Sequence, residues 1–133
     1  MKTLLMVKPD TVSNGHYGEI ISMLLKNRFD ITKLRMRGFT RNEAEQFYAV
    51  HKQREFFPAL VDYITSGPVV ALQIEGDDIV RQIRTFIGTT NPADATPGTI
   101  RYMYGTSIQN NAVHASDSPD SSEKELAIVF SGF

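Results

Sequence analysis

PVVALQIEGDDIVRQIRTFIG, Pro68 to Gly88, contains a change of hydrophobic period that decides the fold. Its first nine residues, 68–76, are a nearly continuous apolar run of strand length, which predicts a buried β-strand. From Asp77 the pattern changes. Ile79, Val80, Ile83, Phe86 and Ile87 recur at helical spacing, two aspartates precede them, and Gly88 follows. Acidic residues suit the positive end of a helix dipole and glycine suits its C-terminal stop, so 77–88 predicts an amphipathic helix.

Upstream of this unit, TLLMV (3–7) reads as a short buried strand stopped by Lys8-Pro9, because proline cannot donate to a β-ladder. SNGHYGE (13–19) is turn-like, and YGEIISMLLKNRF (17–29) places Tyr17, Ile20, Ile21, Leu24 and Leu25 at helical spacing. DITKLRMRGF (30–39) alternates loosely, as a strand does. Thr40 and Glu43 form a T-x-x-E capping box, which starts a helix carrying Ala44, Phe47 and Tyr48. REFFPALVDYITSG (54–67) adds a second helical piece, with Pro58 in its first turn and Gly67-Pro68 at its end. Downstream, ELAIVF (125–130) predicts a closing strand. The order implies an α+β fold: a ferredoxin-like βαββαβ sandwich, with an antiparallel four-stranded sheet and helices on one face. With no repeat or linker, residues 1–133 are expected to form a single domain.

Composition narrows the function. An apolar fraction of 41% and a charged fraction of 22% place the chain among soluble globular proteins. The absence of cysteine removes disulfide frameworks, thiolate zinc sites and cysteine nucleophiles together. A net charge of −1 argues against nucleic acid or an anionic membrane as the main partner, although 14 Lys and Arg leave room for a local basic pocket. MKTLLMVKPD has too short an apolar run for a signal peptide, and no window approaches the roughly 18 apolar residues of a membrane span. The expectation is a cytoplasmic protein with no membrane partner.

Between Gly88 and Asn110 lie 23 residues without a convincing period. Their content of Ile100, Tyr102, Met103, Tyr104 and Ile108, with two prolines, predicts an ordered, packed loop with a functional role. The loop runs directly into IQNNAVHASDS (108–118), so His114 and the loop are expected to share a site.

A lone histidine is first a surface or hydrogen-bonded residue. Metal ligation lacks support, since His16, His51 and His114 are widely separated and no H-E-x-x-H occurs. A Ser-His-Asp hydrolase could draw on Ser116 and Asp117, but residues two and three positions away align poorly and no G-x-S-x-G elbow exists. The remaining role is histidine as nucleophile, which attacks phosphorus when an acceptor fixes the other ring nitrogen. Glu125 could supply that acceptor from a helix over SPDSSEKE, with Ser118 as N-cap and Pro119 at its first position. Phosphoryl transfer also needs cations and donors. Lys8, Arg84 and Arg101 are the candidate cations, with Thr90 and Asn111 as neutral donors. Taken singly, Lys8 also reads as a strand-end charge, Arg84 as a solvated helix face and Arg101 as a loop solubiliser. No Walker A pattern is present, so side chains would have to hold any nucleotide phosphates.

NNAVHASDS resembles the N-x-x-H-[GA]-S-D signature of nucleoside diphosphate kinases, met here by Asn111, His114, Ala115, Ser116 and Asp117. VKPD (7–10), GEII (18–21), FYAVHKQREFFPALVDYITSGPVVA (47–71), EG (75–76), IGTTNPADATPGTIR (87–101) and SEKE (122–125) extend the resemblance over nearly the whole chain. The resemblance implies ping-pong transfer of a γ-phosphate from a nucleoside triphosphate to a nucleoside diphosphate through phosphohistidine. It implies Mg²⁺ as cofactor, carried by the nucleotide rather than by protein ligands. His114 would be the nucleophile, Glu125 would orient its ring, Ser116 would support Glu125, and Lys8 would serve both catalysis and binding. Tyr48, Arg84, Thr90, Arg101 and Asn111 would join Lys8 around phosphates and sugar. Phe56 would stack on the base, with Leu60 and Ile108 lining its slot; Arg54 is a lesser candidate for the phosphate side. Stacking tolerates any base. A homo-oligomer is also implied, a tetramer or hexamer built from a shared dimer. Two departures stand out: Gln109-Asn110 replaces the Gly-Arg of many relatives, and the chain stops at IVFSGF (128–133), where many relatives continue.

Ferredoxin-like sheets also form RNA-binding modules, but RGFTRNEAE (37–45) departs from their aromatic fingerprint at the fourth position. A homologue that has lost catalysis is the other alternative, and it sits poorly with a sequence in which every mechanistic position holds the expected chemical type.

Overall fold

The computed structural model describes residues 1–133. Its centre is a four-stranded antiparallel sheet in the order β2-β3-β1-β4: β1 (Lys2–Val7), β2 (Asp30–Arg37), β3 (Val69–Glu75) and β4 (Val113–Ala115). Leu5 of β1 pairs with Leu72 of β3 on one side and Ala115 of β4 on the other. The apolar runs of β1 and β3 are explained by burial on both faces. Leu5, Val7, Val70 and Leu72 face one core cluster with Ile20, Leu24 and Ile83, from α2 (Tyr17–Lys26) and α5 (Ile79–Ile87). Leu4, Met6, Val69 and Ala71 face a second cluster with Ala44, Phe47, Val61, Ile64 and Val129, from α3 (Arg41–Phe47), α4 (Phe57–Ile64) and α7 (Pro119–Val129). The ferredoxin-like class holds, but the expectation of helices on one face is corrected: helices cover both. Leu72, fully buried between the two neighbouring strands, is one residue on which this arrangement depends; its truncation to alanine costs about 2–5 kcal/mol.

The local signals set the ends of the elements. Thr40 Oγ1 accepts from the Glu43 amide at 3.1 Å while Glu43 Oε1 accepts from the Thr40 amide at 3.0 Å, which completes the capping box of α3. Gly88 ends α5 at φ 94°, and a Cβ there would lie 2.6 Å from Thr99 Oγ1. Ser118 Oγ accepts from the Ser121 amide at 3.1 Å and Pro119 opens α7, as expected.

ELAIVF is not a strand. Its residues continue α7 to Val129 and cap it at Phe130, and Leu126, Val129 and Phe130 pack into the second core cluster. The fourth strand is the histidine segment itself, pairing Leu5 with Ala115, Met6 with His114 and Val7 with Val113. A further short helix, α1 (Pro9–Ser13), follows β1: Pro9 stops the strand and also occupies the first helical turn. The long loop is ordered, with 3₁₀ turns at Ala49–His51 and Pro92–Asp94 before and within it and a short helix, α6 (Ile100–Tyr104), whose Ile100 is fully buried. No helix is long and apolar enough to cross a membrane.

Candidate active site

His114 occupies the middle of β4, half-buried, on the sheet face shared with Met6. Phe47 and Tyr48 pack edge-on against its ring, with centroids at 5.0 and 6.4 Å. Its Nε2 donates to Glu125 Oε1 at 2.8 Å, and Ser116 Oγ donates to the same oxygen at 2.7 Å. An ionised carboxylate only accepts, so this contact puts the proton on Nε2 and leaves a lone pair on Nδ1. Nδ1 has no hydrogen-bond partner in the protein and is not sealed off from solvent. Ser116 directs its hydroxyl to Glu125 rather than to the imidazole, which disposes of a serine–histidine nucleophile pair.

Three cations converge near this ring from different elements. Arg84 of α5 donates to Ala115 O at 3.1 Å. Arg101 of α6 is buried and donates to Gly88 O at 3.1 Å and Val113 O at 2.9 Å, while its Nε has no partner. Lys8 follows β1 and donates to Asn111 Oδ1 at 2.8 Å and Gln109 O at 3.2 Å. Asn111 Nδ2 in turn donates to Thr90 O at 2.9 Å. Burial, then the charge of Arg101, lower the Lys8 ammonium to about 8, against a smaller opposing pull from Asp10. Burial, then Arg84, lower Arg101 to about 10. These three cations crowd together with only Asp10 near Lys8 and Asp117 near Arg84 to offset them, an arrangement that an anionic ligand would relieve. The Tyr48 hydroxyl is buried without a partner; burial first, and Glu125 second, hold it in the neutral, donating form.

A cleft of about 540 Å³ connects these groups. Lys8, Tyr48, Arg84, Thr90, Arg101, Asn111 and His114 line it together with Phe56, Leu60 and Ile108. Phe56 and Ile108 are both exposed, at 49% and 61%, so an aromatic face and an aliphatic wall are open to a planar ligand. Ser116 and Glu125 do not line the cleft but reach it through His114. Arg54 is not among the lining residues. A larger, more open groove of about 830 Å³ adjoins Arg84, Thr90 and Asp117 but lacks the imidazole.

His51, Gln109, Ala115 and Asp117 also line the cleft and were not assigned from sequence. Asp117 lies within the signature, and its carboxyl is held below the ordinary range by a hydroxyl hydrogen bond from Ser121 and by Arg84, against burial. His51 lies between Tyr48 and Phe56 in sequence and in space, its ring 6.4 and 5.4 Å from theirs. That spacing was the available signal. No three His, Asp or Glu side chains converge as a metal cage.

A family model described as nucleoside diphosphate kinase matches residues 1–133. The chain belongs to the nucleoside diphosphate kinase family. It is 49% identical over 130 residues to the nucleoside diphosphate kinase of Archaeoglobus fulgidus, covering 98% of this chain and 86% of that one. To that of Heliobacterium modesticaldum it is 52% identical over 129 residues, covering 97% and 87%. Among solved structures, the Aquifex aeolicus nucleoside diphosphate kinase superposes with a TM-score of 0.95 at 42% identity, covering 98% of this chain and 95% of that one. A halophilic nucleoside diphosphate kinase from Halobacterium salinarum, solved in complex with CDP, gives a TM-score of 0.94 at 39% identity, covering 98% and 88%. Nucleoside diphosphate kinases transfer phosphate between nucleotides, and the chain is accordingly a phosphotransferase enzyme with a ferredoxin-like α+β fold.

Proposed function

We propose that His114 carries the phosphate between two nucleotides that bind the 540 Å³ cleft in turn. The lone pair of Nδ1 attacks the γ-phosphorus of a nucleoside triphosphate, the bond from phosphorus to the β,γ-bridging oxygen breaks, and the diphosphate leaves with that electron pair. The proton stays on Nε2, where Glu125 at 2.8 Å offsets the positive charge that the ring acquires. In the return half, a β-phosphate oxygen of a second nucleoside diphosphate attacks the same phosphorus and the N–P bond breaks. The observation that carries this reading is the 2.8 Å contact of His114 Nε2 with the Glu125 carboxylate, which leaves Nδ1 without a protein partner.

Lys8, Arg84 and Arg101 offset the charge on the phosphoryl oxygens, while Thr90, Asn111 and Tyr48 donate to phosphate and sugar. Phe56 stacks on the base against Leu60 and Ile108. The donor set suits Mg²⁺ that arrives on the nucleotide: Asp117 is the one carboxylate lining the cleft, too few for a protein cage. When bound, Mg²⁺ neutralises phosphate charge. Residues 1–133 act as one such domain, in the cytoplasm, within a dimer-based homo-oligomer, with nucleotides rather than nucleic acid as partners.

Incubation with γ-labelled ATP and Mg²⁺ tests the proposal. An acid-labile, base-stable phosphoprotein is expected, whose label passes to any added nucleoside diphosphate. His114→Ala should abolish both; turnover persisting in that variant removes His114 from the mechanism.

A further inference from the structure

Three non-glycine residues have positive φ: Arg28, Asp78 and Ala112. Arg28 and Asp78 stand at exposed helix ends. Ala112 differs, being fully buried at φ 75° immediately before β4. The Val113 amide donates to Asn111 O at 2.9 Å, closing a three-residue turn around it. This is a γ-turn of the rare positive-φ kind, a strained conformation for a residue with a Cβ.

The turn changes which way the neighbouring side chains point. Successive residues of a strand face opposite sides, so an extended approach to β4 would put Asn111 with Val113 and Ala112 with His114. The observed arrangement is the reverse. Ala112 joins Val113 and Ala115 in one core cluster, while Asn111 lines the cleft with His114. Three hydrogen bonds hold this arrangement: Lys8 N to Ala112 O, Arg101 Nη2 to Val113 O and Asn111 Nδ2 to Thr90 O, each at 2.9 Å.

We infer that Ala112 is a positioning residue whose γ-turn breaks the strand alternation and so places Asn111, with the Lys8 ammonium it binds, beside His114. The inference rests on the function proposed above. Ala112 touches no reacting atom and acts through Asn111, so its effect depends on the Asn111 side chain. Proline locks φ near −65° and cannot make the turn, whereas glycine takes positive φ freely.

The test measures single-turnover phosphoenzyme formation from ATP, with thermal melting, in Ala112→Pro, Ala112→Gly, Asn111→Ala and the Ala112→Pro/Asn111→Ala double variant. Ala112→Pro is expected to slow phosphorylation about tenfold, as Asn111→Ala does, and the double variant to be no slower than the slower single. Ala112→Gly should stay within about twofold of the unaltered protein and melt no lower, because relief of strain offsets the lost methyl contact. A folded proline variant at full rate, losses that multiply in the double variant, or a glycine variant that falls in rate or melting temperature would each overturn the inference. Should the proline variant not fold, the glycine result decides alone. Absence of phosphate on His114 in the unaltered protein strikes the proposed function instead; a normal phosphoenzyme with an unimpaired proline variant strikes only the turn.

Discussion

Lys8 Nζ donates to Asn111 Oδ1 at 2.8 Å although the two residues are 103 positions apart in the chain. Lys8 is only 6% exposed, and its ammonium feels the charges of Arg101 and Asp10 and lies 5.8 Å from the centre of the Tyr63 ring. Its lowered pKa, about 8 against an ordinary 10.5, makes two opposite predictions over one pH range. Nucleotide affinity of the unphosphorylated enzyme should fall as pH rises through 8, because the charge that meets the phosphate is lost. Folding stability should rise between about 8 and 10.5, since the unfolded chain then holds a proton that the folded chain lacks. The full swing is about 3 kcal/mol. Calorimetric binding and denaturant melts across this range check both, and Lys8→Met should flatten each.

Glu125→Gln should slow phosphorylation of His114 by roughly ten- to a hundredfold while nucleotide affinity stays near its original value, because the amide neither fixes the Nε2 proton nor offsets imidazolium charge. Ser116→Ala removes one hydrogen bond to the Glu125 carboxylate, of a kind worth about 1.5–3 kcal/mol, and should slow the step about tenfold. Rapid-quench measurement of phosphoenzyme formation separates the two; an unchanged rate in the Gln variant removes Glu125 from the chemistry.

Arg84→Ala and Arg101→Ala should each lower kcat by about two to three orders of magnitude, the loss that follows from deleting one preorganised donor worth roughly 2.7–4 kcal/mol. A loss of tenfold or less would demote the residue to structural support. Arg101→Ala should also lower the melting temperature, because its guanidinium holds Gly88 O and Val113 O together.

Phe56→Ala should weaken nucleotide binding by about 1–3 kcal/mol per stacked base. The increase in KM should be similar for adenine, guanine, cytosine and uracil diphosphates, with kcat little changed. A loss confined to one base would mean that hydrogen bonding, not the aromatic face, selects the ligand.

Periodicity carried the reading furthest where an element was long or capped. The buried strands β1 and β3, the helix after Asp78 and the Thr40–Glu43 box could be read directly from apolar runs, spacing and capping residues. β4 could not, because three residues hold no measurable period, and its strand character comes from pairing with Leu5, Met6 and Val7. ELAIVF failed for a different reason. A short apolar run fits a buried strand or a helix face equally well, and the cap at Ser118 with no breaker before Gly132 lets α7 continue through it. Helices appeared on one face only because a continuous apolar strand does not announce that both its sides are covered. At the site, the histidine signature pointed to Asn111 and Ser116, the capped helix after it to Glu125, and the need of phosphoryl transfer for positive charge to Lys8, Arg84 and Arg101. His51 and Gln109 escaped because nothing in their types singles them out; His51 offered only its place between Tyr48 and Phe56, and the 3₁₀ turn and the folded loop bring the two to the cleft.

Ser122 Oγ donates to Lys2 O at 2.6 Å, so the last helix is fastened to the start of the first strand, at the end opposite the Lys8–Asn111 contact. A growing polypeptide on the ribosome therefore holds no half-working centre: the ammonium at position 8 emerges early and waits for Asn111, 103 residues later. Recovery of phosphate transfer during refolding consequently requires the first strand to be paired with the histidine strand and joined to the last helix.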